Sequence, residues 1–394
     1  MNKHIVFAIC GCLFFVSGFS QTLNLEELLL EIEQNNTELQ GYQSYIESQQ
    51  LENKSTNNLP DPQLSGYYLP FGDNTTDTYS EYQISQSFEF PTVYAARGKW
   101  NDLRSELLQT AYTKRRQLVL LNAKEFLIEL AFLRKQKGIE AERRAQGKQV
   151  FDQIRELHNK EQVGILDLNK AKVAWIQEQF VLEQIENDIQ ILVSKLKTLN
   201  GDKPLDELSL QIDLPLDIGS MDNLWQEKLV QDPALLELKT NEIASLQKMK
   251  LEQNKVLPNV ALGYNYQGVN GNNYSGFYGG LSIPLWGSKN RVKAAQANHE
   301  YQQTNTQVIT NTLYTQFQES FNHYQLMRSK YNEYQATISN LESEKLLLKA
   351  YLLGEYSFMD YYVELQFYRN AFDKMLQMEK DLHLLQAELL KHQL

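Results

Sequence analysis

Residues 59–67 read LPDPQLSGY, and 198 positions later the pattern returns as LPNVALGY at residues 257–264. A second match follows at an offset of 193, where residues 87–91 (SFEFP) resemble residues 280–284 (GLSIP). Each stretch has a flanking proline beside alternating apolar and polar residues, a pattern typical of β-strands and their ends. Two similar strand pairs at nearly constant spacing indicate a duplicated unit.

Two further matches extend the repeat on both sides of the strands. Residues 36–39 (NTEL) correspond to residues 232–235 (DPAL) at an offset of 196, and residues 166–168 correspond to residues 359–361 at 193. Four matches in one order at nearly one offset predict that each unit contains a helix, two strands, a long helix and a further helix.

The repeat predicts the domain organisation. We expect a first structural repeat at residues 21–200, a linker at the equator of the molecule at 201–220, and a second structural repeat at 221–394. The linker is the clearest non-helical stretch, because it contains Gly201, Pro204, Pro215 and Gly219.

The first 20 residues have the pattern of a secretory signal peptide. Lys3 precedes an apolar run at residues 5–19, and small residues stand at the expected cleavage site before Gln21. Both cysteines, Cys10 and Cys12, lie inside this segment. We therefore expect an exported mature chain with no disulfide, no thiol nucleophile and no cysteine-bound metal.

Composition excludes several classes of protein. The 394 residues are 42% hydrophobic and 22% charged, which excludes a disordered or collagenous chain. Only the N-terminal run is apolar enough to suggest a helical membrane span. The net charge of −11 disfavours nucleic acid as a partner.

The strand stretches alternate with period two over about ten residues, the length that a tilted strand needs to cross a bilayer. At 82–90 the odd positions are polar and the even positions except Gln86 are apolar, and a similar alternation holds at most positions of 259–268. An ordinary half-buried hairpin would alternate in the same way, but the apolar side here is rich in aromatic residues. We expect four of these side chains to face lipid: Ile84, Phe88, Leu262 and Tyr264.

The long helices carry apolar residues at steps of three and four, which is typical of coiled coils. Between residues 93 and 159 two such seams run side by side, so this helix is expected to have two neighbours. Its 67 residues would reach roughly 100 Å at 1.5 Å each. Gly164 and Gly354 are expected at helical hairpin tips. The first seam is Leu103, Leu107, Ala111, Leu118, Leu121, Ile128, Phe132 and Ile139, and the second is Leu108, Tyr112, Val119, Phe126 and Leu133.

Four bilayer-length strands cannot form a membrane barrel alone. The smallest such barrels have eight strands, and an open sheet edge in lipid leaves backbone groups unsatisfied. The chain is therefore expected to oligomerise, with eight strands in a dimer or twelve in a trimer. The long helices would continue as a ring that encloses a lumen.

These features resemble the TolC-like outer-membrane efflux proteins over nearly the whole chain after the signal peptide. The resemblance rests on the order of elements, residues 35–39 (NNTEL), the Leu-Pro strand starts and residues 351–354 (YLLG). It implies a homotrimer with a twelve-stranded outer-membrane barrel and a long periplasmic α-barrel. It also implies an exit duct for small molecules or heavy-metal ions, joined to an inner-membrane transporter by a periplasmic adaptor. Residues 87–94 are similar to the heavy-metal Cus/Czc branch.

The resemblance also implies roles for three residues at the tips. Asp167 and Tyr351 match an Asp–Tyr pair that helps hold the periplasmic entrance closed, and Asp360 matches an Asp that lines its constriction. Tyr356 stands where well-studied family members have an Arg, so an arginine latch is not expected. An acid such as Asp167 in the first turn of a helix is also common for purely structural reasons.

Catalysis finds no support in the sequence. The histidines are scattered without metal-ligand spacing, and GxSxG, P-loop and GxGxxG motifs are missing. We expect no enzyme activity, no cofactor and no metal site. Two alternatives to an efflux duct stay open: the outer-membrane component of a type I protein secretion system, and a secreted coiled-coil scaffold whose strands form a soluble sheet.

Overall fold

The computed structural model describes residues 25–70, 78–205, 215–338 and 343–394. The expected signal peptide at 1–20 lies outside these residues. The elements in chain order are α1 (Leu25–Asn35), α2 (Thr37–Ser55), β1 (Gln63–Pro70), β2 (Thr78–Phe88), α3 (Pro91–Asn159), α4 (Ile165–Leu199), α5 (Met221–Gln231), α6 (Pro233–Asn254), β3 (Asn259–Val269), β4 (Asn272–Ser282), α7 (Arg291–Ile338), α8 (Ser343–Leu352), α9 (Phe358–Leu389) and a short 3-10 helix (Lys391–Gln393).

The fold is mainly helical with four strands, as the sequence predicts. The longest helix, α3, has 69 residues and spans roughly 100 Å. It turns at Gly164 into α4, and α8 turns at Gly354 into α9. Gly354 adopts a φ of +80°, a left-handed conformation that glycine tolerates without strain. None of the described helices is long and apolar enough to cross a membrane.

The helix expected before each strand pair is in fact two helices, and the repeat match explains why. Asn36 and Asp232 both have extended backbone conformations, so each interrupts the helical path. The Asn36 side chain caps α2 by accepting from the Leu39 N–H at 3.0 Å. The Asp232 side chain caps α6 by accepting from the Ala234 N–H at 2.9 Å. The matched residues therefore perform the same capping in both halves of the chain.

The two seams of α3 contact two different helices. Val119 belongs to a core that includes Leu192 and Leu196 of α4. Leu121 and Ile128 belong to a separate cluster around Ala387 of α9. The two-neighbour prediction for this helix is thus confirmed within a single chain.

All four strands form one antiparallel sheet in the order β1-β2-β3-β4. The central pair, β2 with β3, joins the first half of the chain to the second. In the described residues β1 and β4 each have one neighbour, so both outer edges of the sheet are unpaired. Among the described residues, helices lead into the sheet at one end, where α6 ends just before β3 and α3 begins just after β2.

Candidate functional site

The sheet has an apolar face that includes all four positions expected to face lipid. Ile84 pairs directly with Tyr264, and Phe88 and Leu262 lie an even number of residues away along the same strands. Ile84 is 51% exposed and Leu262 is 55% exposed. Contact of this face with lipid stays a prediction. The same face also contains Leu64, Tyr82, Tyr266, Phe277 and Leu281.

The opposite, polar face contains amide, hydroxyl and tyrosine side chains. Gln83 pairs with Asn265, and Ser85 pairs with Gly263. Gln83 Nε2 donates a hydrogen bond to the Tyr278 hydroxyl. The Tyr278 ring lies over Gly263, where an added Cβ would come within 2.5 Å of it. A glycine is therefore required for the ring to lie flat along this face.

At the far end of the helices, both tips pack into one apolar cluster. We call this the tip cluster. Some of its residues come from α3 and α4, which form the first tip, and the others from α8 and α9, which form the second, so the cluster holds the two tips together. Its buried members are Val150, Phe151, Ile154, Ala171, Tyr351, Phe358, Tyr361 and Leu365.

Tyr351 lies inside the tip cluster rather than on its surface. It is 7% exposed, and its ring stacks on that of Tyr361 with 4.8 Å between centroids. Burial, together with the negative charge of Asp167, raises the pKa of Tyr351 to about 12. The phenol therefore stays neutral and able to donate a hydrogen bond at physiological pH.

Asp167 is half-buried in the first turn of α4. Its backbone N–H donates to the Gly164 carbonyl at 3.2 Å. The structure thus brings Asp167 close enough to Tyr351 for its negative charge to raise the pKa of the phenol. No side-chain hydrogen bond joins these two described residues. Their role in closing an entrance stays a prediction.

Asp360 is exposed in the first turn of α9, and Ser357 is the N-cap residue to which it is bonded. The Asp360 N–H donates to Ser357 Oγ at 3.2 Å, and Ser357 Oγ donates to Asp360 Oδ2 at 2.6 Å. This arrangement satisfies helix-end groups and fixes the carboxylate at the surface. A structural role for Asp360 is therefore present whether or not it also lines a constriction.

Just beyond the tip cluster, Arg143 is buried among carboxylates from three helices. Its side chain is 6% exposed and donates to Glu140 at 2.6 Å and to Asp373 at 2.8 Å. Glu344 of α8 lies 3.8 Å away. Burial raises the pKa of Glu140, although Arg143 lies beside it and acts in the opposite direction.

Arg369 of α9 extends this cluster to a fourth helix. Its side chain is 5% exposed, pairs with Glu178 of α4, and lies 3.4 Å from both Glu344 and Gln146. Two arginines and four carboxylates therefore connect α3, α4, α8 and α9. We call this set the ionic network: Glu140, Arg143, Glu178, Glu344, Arg369 and Asp373.

The sequence analysis missed the ionic network, but the seams contain a signal for it. Arg143 lies four residues after Ile139 and Arg369 four residues after Leu365, so both continue an apolar seam with a charged residue. A charge at a seam position must be paired to be buried at acceptable cost. Such a position predicts an ionic partner, although it does not identify the helix that supplies it.

Metal and catalytic chemistry gain no support from the described residues. Within 25–70, 78–205, 215–338 and 343–394, no group of three or more His, Asp or Glu side chains is placed to hold a metal ion. The buried His383 packs its ring on Phe132 with 5.7 Å between centroids. Burial lowers its pKa, as expected for a neutral core histidine.

Long helical hairpins that support one two-faced sheet also occur in solved structures of outer-membrane channels. CusC, studied for transmembrane channel formation, is 14% identical with a TM-score of 0.75, covering 93% of this chain and 91% of that chain. The Campylobacter jejuni CmeC outer membrane channel is 16% identical with a TM-score of 0.74, covering 100% and 93%. The outer-membrane channel OprN is 14% identical with a TM-score of 0.77, covering 93% and 89%.

These similarities confirm the expected resemblance in fold to TolC-like outer-membrane channels. The similar structures are channel proteins rather than enzymes. No protein-family model and no curated protein sequence matches the chain.

Proposed function

We propose that this chain forms the outer-membrane exit duct of a tripartite efflux pump for small molecules or heavy-metal ions. The sheet carries the proposal: it has an exposed apolar face, a polar face and two unpaired edges. A sheet of this kind in lipid must close on further copies, because unpaired backbone groups there are costly. Three copies give a twelve-stranded barrel, with the polar face lining its lumen.

The two halves of the chain contribute equally to this barrel. In the proposed organisation, repeats at 21–200 and 221–394 each supply two strands and one helical hairpin, and 201–220 links them. Residues 1–20 direct export and are removed. The helices extend from the barrel into the periplasm, so the tips point toward a periplasmic adaptor and an inner-membrane transporter.

The tips form the regulated entrance in this proposal. Asp167 and the neutral Tyr351 phenol act as a latch: no hydrogen bond joins them in the single chain, and one formed in the closed trimer would contribute about 1.5 to 3 kcal/mol before solvent exposure reduces it. In planar bilayers, Tyr351→Phe and Asp167→Ala are expected to raise basal conductance with little change in ion preference. Tyr356→Phe, an exposed tyrosine of the same tip, is the matched control. Parental conductance in both latch variants would contradict the latch.

The proposed location and assembly have a direct test. Membrane fractionation followed by detergent extraction is expected to yield a trimer from the outer membrane, and the purified trimer is expected to conduct ions in a planar bilayer. The transporter and adaptor that co-purify with it would identify the pump. A soluble periplasmic monomer would contradict the duct and favour a coiled-coil scaffold.

A further inference from the structure

The four strands contain a single Asp, Glu, Lys or Arg residue, and that residue is Glu81. Glu81 lies on the polar face, in a row with Tyr67 on β1, Gln267 on β3 and Tyr274 on β4. A carboxylate on the apolar face would contact hydrocarbon in the proposed barrel, whereas on the polar face it contacts lumen water.

Three neutral groups donate hydrogen bonds to the Glu81 carboxylate. The Tyr79 hydroxyl donates to Oε2, and Asn265 Nδ2 and Gln267 Nε2 donate to Oε1, the last at 3.5 Å. An ionised carboxylate only accepts hydrogen bonds, so a set made solely of donors fits the charged form. These contacts come from two strands and fix the position of the carboxylate on the sheet.

The next acid along the chain shows how Glu81 differs. Glu89 follows the end of β2 and forms an ion pair with Arg97 of α3, so its charge is compensated. Because the hydrogen-bond partners of Glu81 are all neutral, its charge is uncompensated at the polar face. The geometry therefore leaves one negative charge per chain on the inner surface of the sheet.

We propose that Glu81 determines the cation preference of the barrel, as a ring of three carboxylates that attracts metal ions and other multivalent cations. This inference rests on the proposed function, because the ring exists only in the closed trimer. Glu81 lies three residues from the start of β2, roughly 10 Å from the hairpin end of the sheet. The tips lie beyond α3, roughly 100 Å away. The ring therefore acts on cations that arrive from the hairpin side.

Planar-bilayer recordings of the whole trimer test this assignment through Glu81→Gln. The ratio of K⁺ to Cl⁻ permeability is expected to fall roughly two- to fivefold, because three charges act across about 10 Å of screened water. Block by Mg²⁺ added on the hairpin side should weaken, while block from the tip side should be unchanged. Adding Ser65→Glu, a carboxylate on the same face of β1, should restore both properties.

The outcomes separate this inference from the proposed function. If the unaltered protein forms no conducting trimer, the proposed function fails and the ring fails with it. If the unaltered trimer conducts but Glu81→Gln leaves ion preference and hairpin-side block at the parental level, the ring alone is overturned. Should Glu81→Gln not assemble, Ser65→Glu in the unaltered background carries the test, since a second ring must raise cation preference and its failure to do so overturns the proposal.

Discussion

The two ends of this molecule treat charge in opposite ways. The sheet has one charged residue, Glu81, held only by neutral donors on the polar face. The helical end buries Arg143 and Arg369 among four carboxylates. Both ends expose large apolar side chains elsewhere, among them Phe277 on the sheet and Phe367 on α9, so exposure of apolar surface does not distinguish them.

The proposed barrel explains this difference through the medium around each end. One face of the sheet would contact hydrocarbon there, and hydrocarbon excludes charge. A single-layered sheet also has no interior in which an ion pair could be buried. Packed helices in water do have an interior, where a paired arginine fixes which helices meet more than it adds stability. The distribution of charge therefore distinguishes the sheet from the helical stem better than exposed apolar surface does.

The largest expected effect comes from breaking the ionic network. Arg369→Ala removes the partner of Glu178 and leaves this largely buried carboxylate unpaired, which should cost about 3 to 5 kcal/mol of stability in the helical stem. Hydrogen exchange of α4 and α9 in the purified protein would measure the loss. Arg155→Ala is the control: it removes a 54% exposed arginine bonded to Asp152 and should cost at most about 1 kcal/mol. Equal losses of stability in the two variants would show that burial of an arginine does not determine the cost of removing it.

A charge on the apolar face should have the next largest effect. Leu262→Lys should cost about 2 to 4 kcal/mol if the residue lies near the bilayer midplane. Asn265→Lys, on the polar face of the same strand, should be tolerated because it would lie beside Glu81. Trimer assembly and resistance to heat in detergent would compare the two. Equal tolerance of the two lysines would contradict contact of the Leu262 face with lipid.

Alkaline pH should weaken the tip cluster through its buried tyrosines. Burial raises the pKa values of Tyr351 and Tyr361 from 10.0 to about 12, so folding favours the neutral phenols. Their contribution is complete below pH 10 and is lost as pH rises through 12, at about 2 to 3 kcal/mol for each tyrosine. Tyr351→Phe should remove about half of this pH dependence of tip unfolding, because Tyr361 still titrates, and limited proteolysis across the alkaline range would measure it. An unchanged pH profile in this variant would contradict burial of the phenol.

The smallest effect is expected at Asp360. Asp360→Asn keeps the shape of the cap and removes a first-turn charge worth about 0.3 to 1 kcal/mol to α9. If three copies line a constriction, the variant should still lower cation preference and tip-side block by multivalent cations. Bilayer recordings of Asp360→Asn and Glu81→Gln in parallel would distinguish the two sites. Asp360→Asn should change block from the tip side, and Glu81→Gln should change block from the hairpin side. Unaltered block from the tip side would leave Asp360 with the capping role alone.

Local order was predictable from the sequence because it depends on neighbours along the chain. The long helix expected at 93–159 is observed at Pro91–Asn159, and the strand expected at 259–268 is observed at Asn259–Val269. The turns at Gly164 and Gly354 also lie where the seams end. The division of the helix before each strand pair was missed, although Asn36 and Asp232 had been matched in the repeat.

Contacts between distant helices were less predictable. The spacing of apolar residues shows which face of a helix is buried, but not which helix packs on it or at what position along its length. The ionic network joins Arg143 to Asp373 across 230 positions, and nothing local in the sequence encodes that pairing. Asp360 has one property of each kind. Its bond to Ser357, three residues away, could be read from the sequence, whereas its place in an assembled entrance depends on other copies of the chain.

The pairing of β2 with β3 has a consequence for how this chain is made. Phe88 pairs with Val260, 172 positions later in the chain, so translation must pass those residues before the central strands can begin to pair. The hairpin of α3 and α4 turns within a few residues and can form as soon as it is translocated. Because distant contacts form slowly when intervening chain must first be ordered, the helices are expected to fold first and bring the strands together. In the proposed duct, bilayer insertion then becomes the last step, and the apolar face stays exposed to water until insertion is complete.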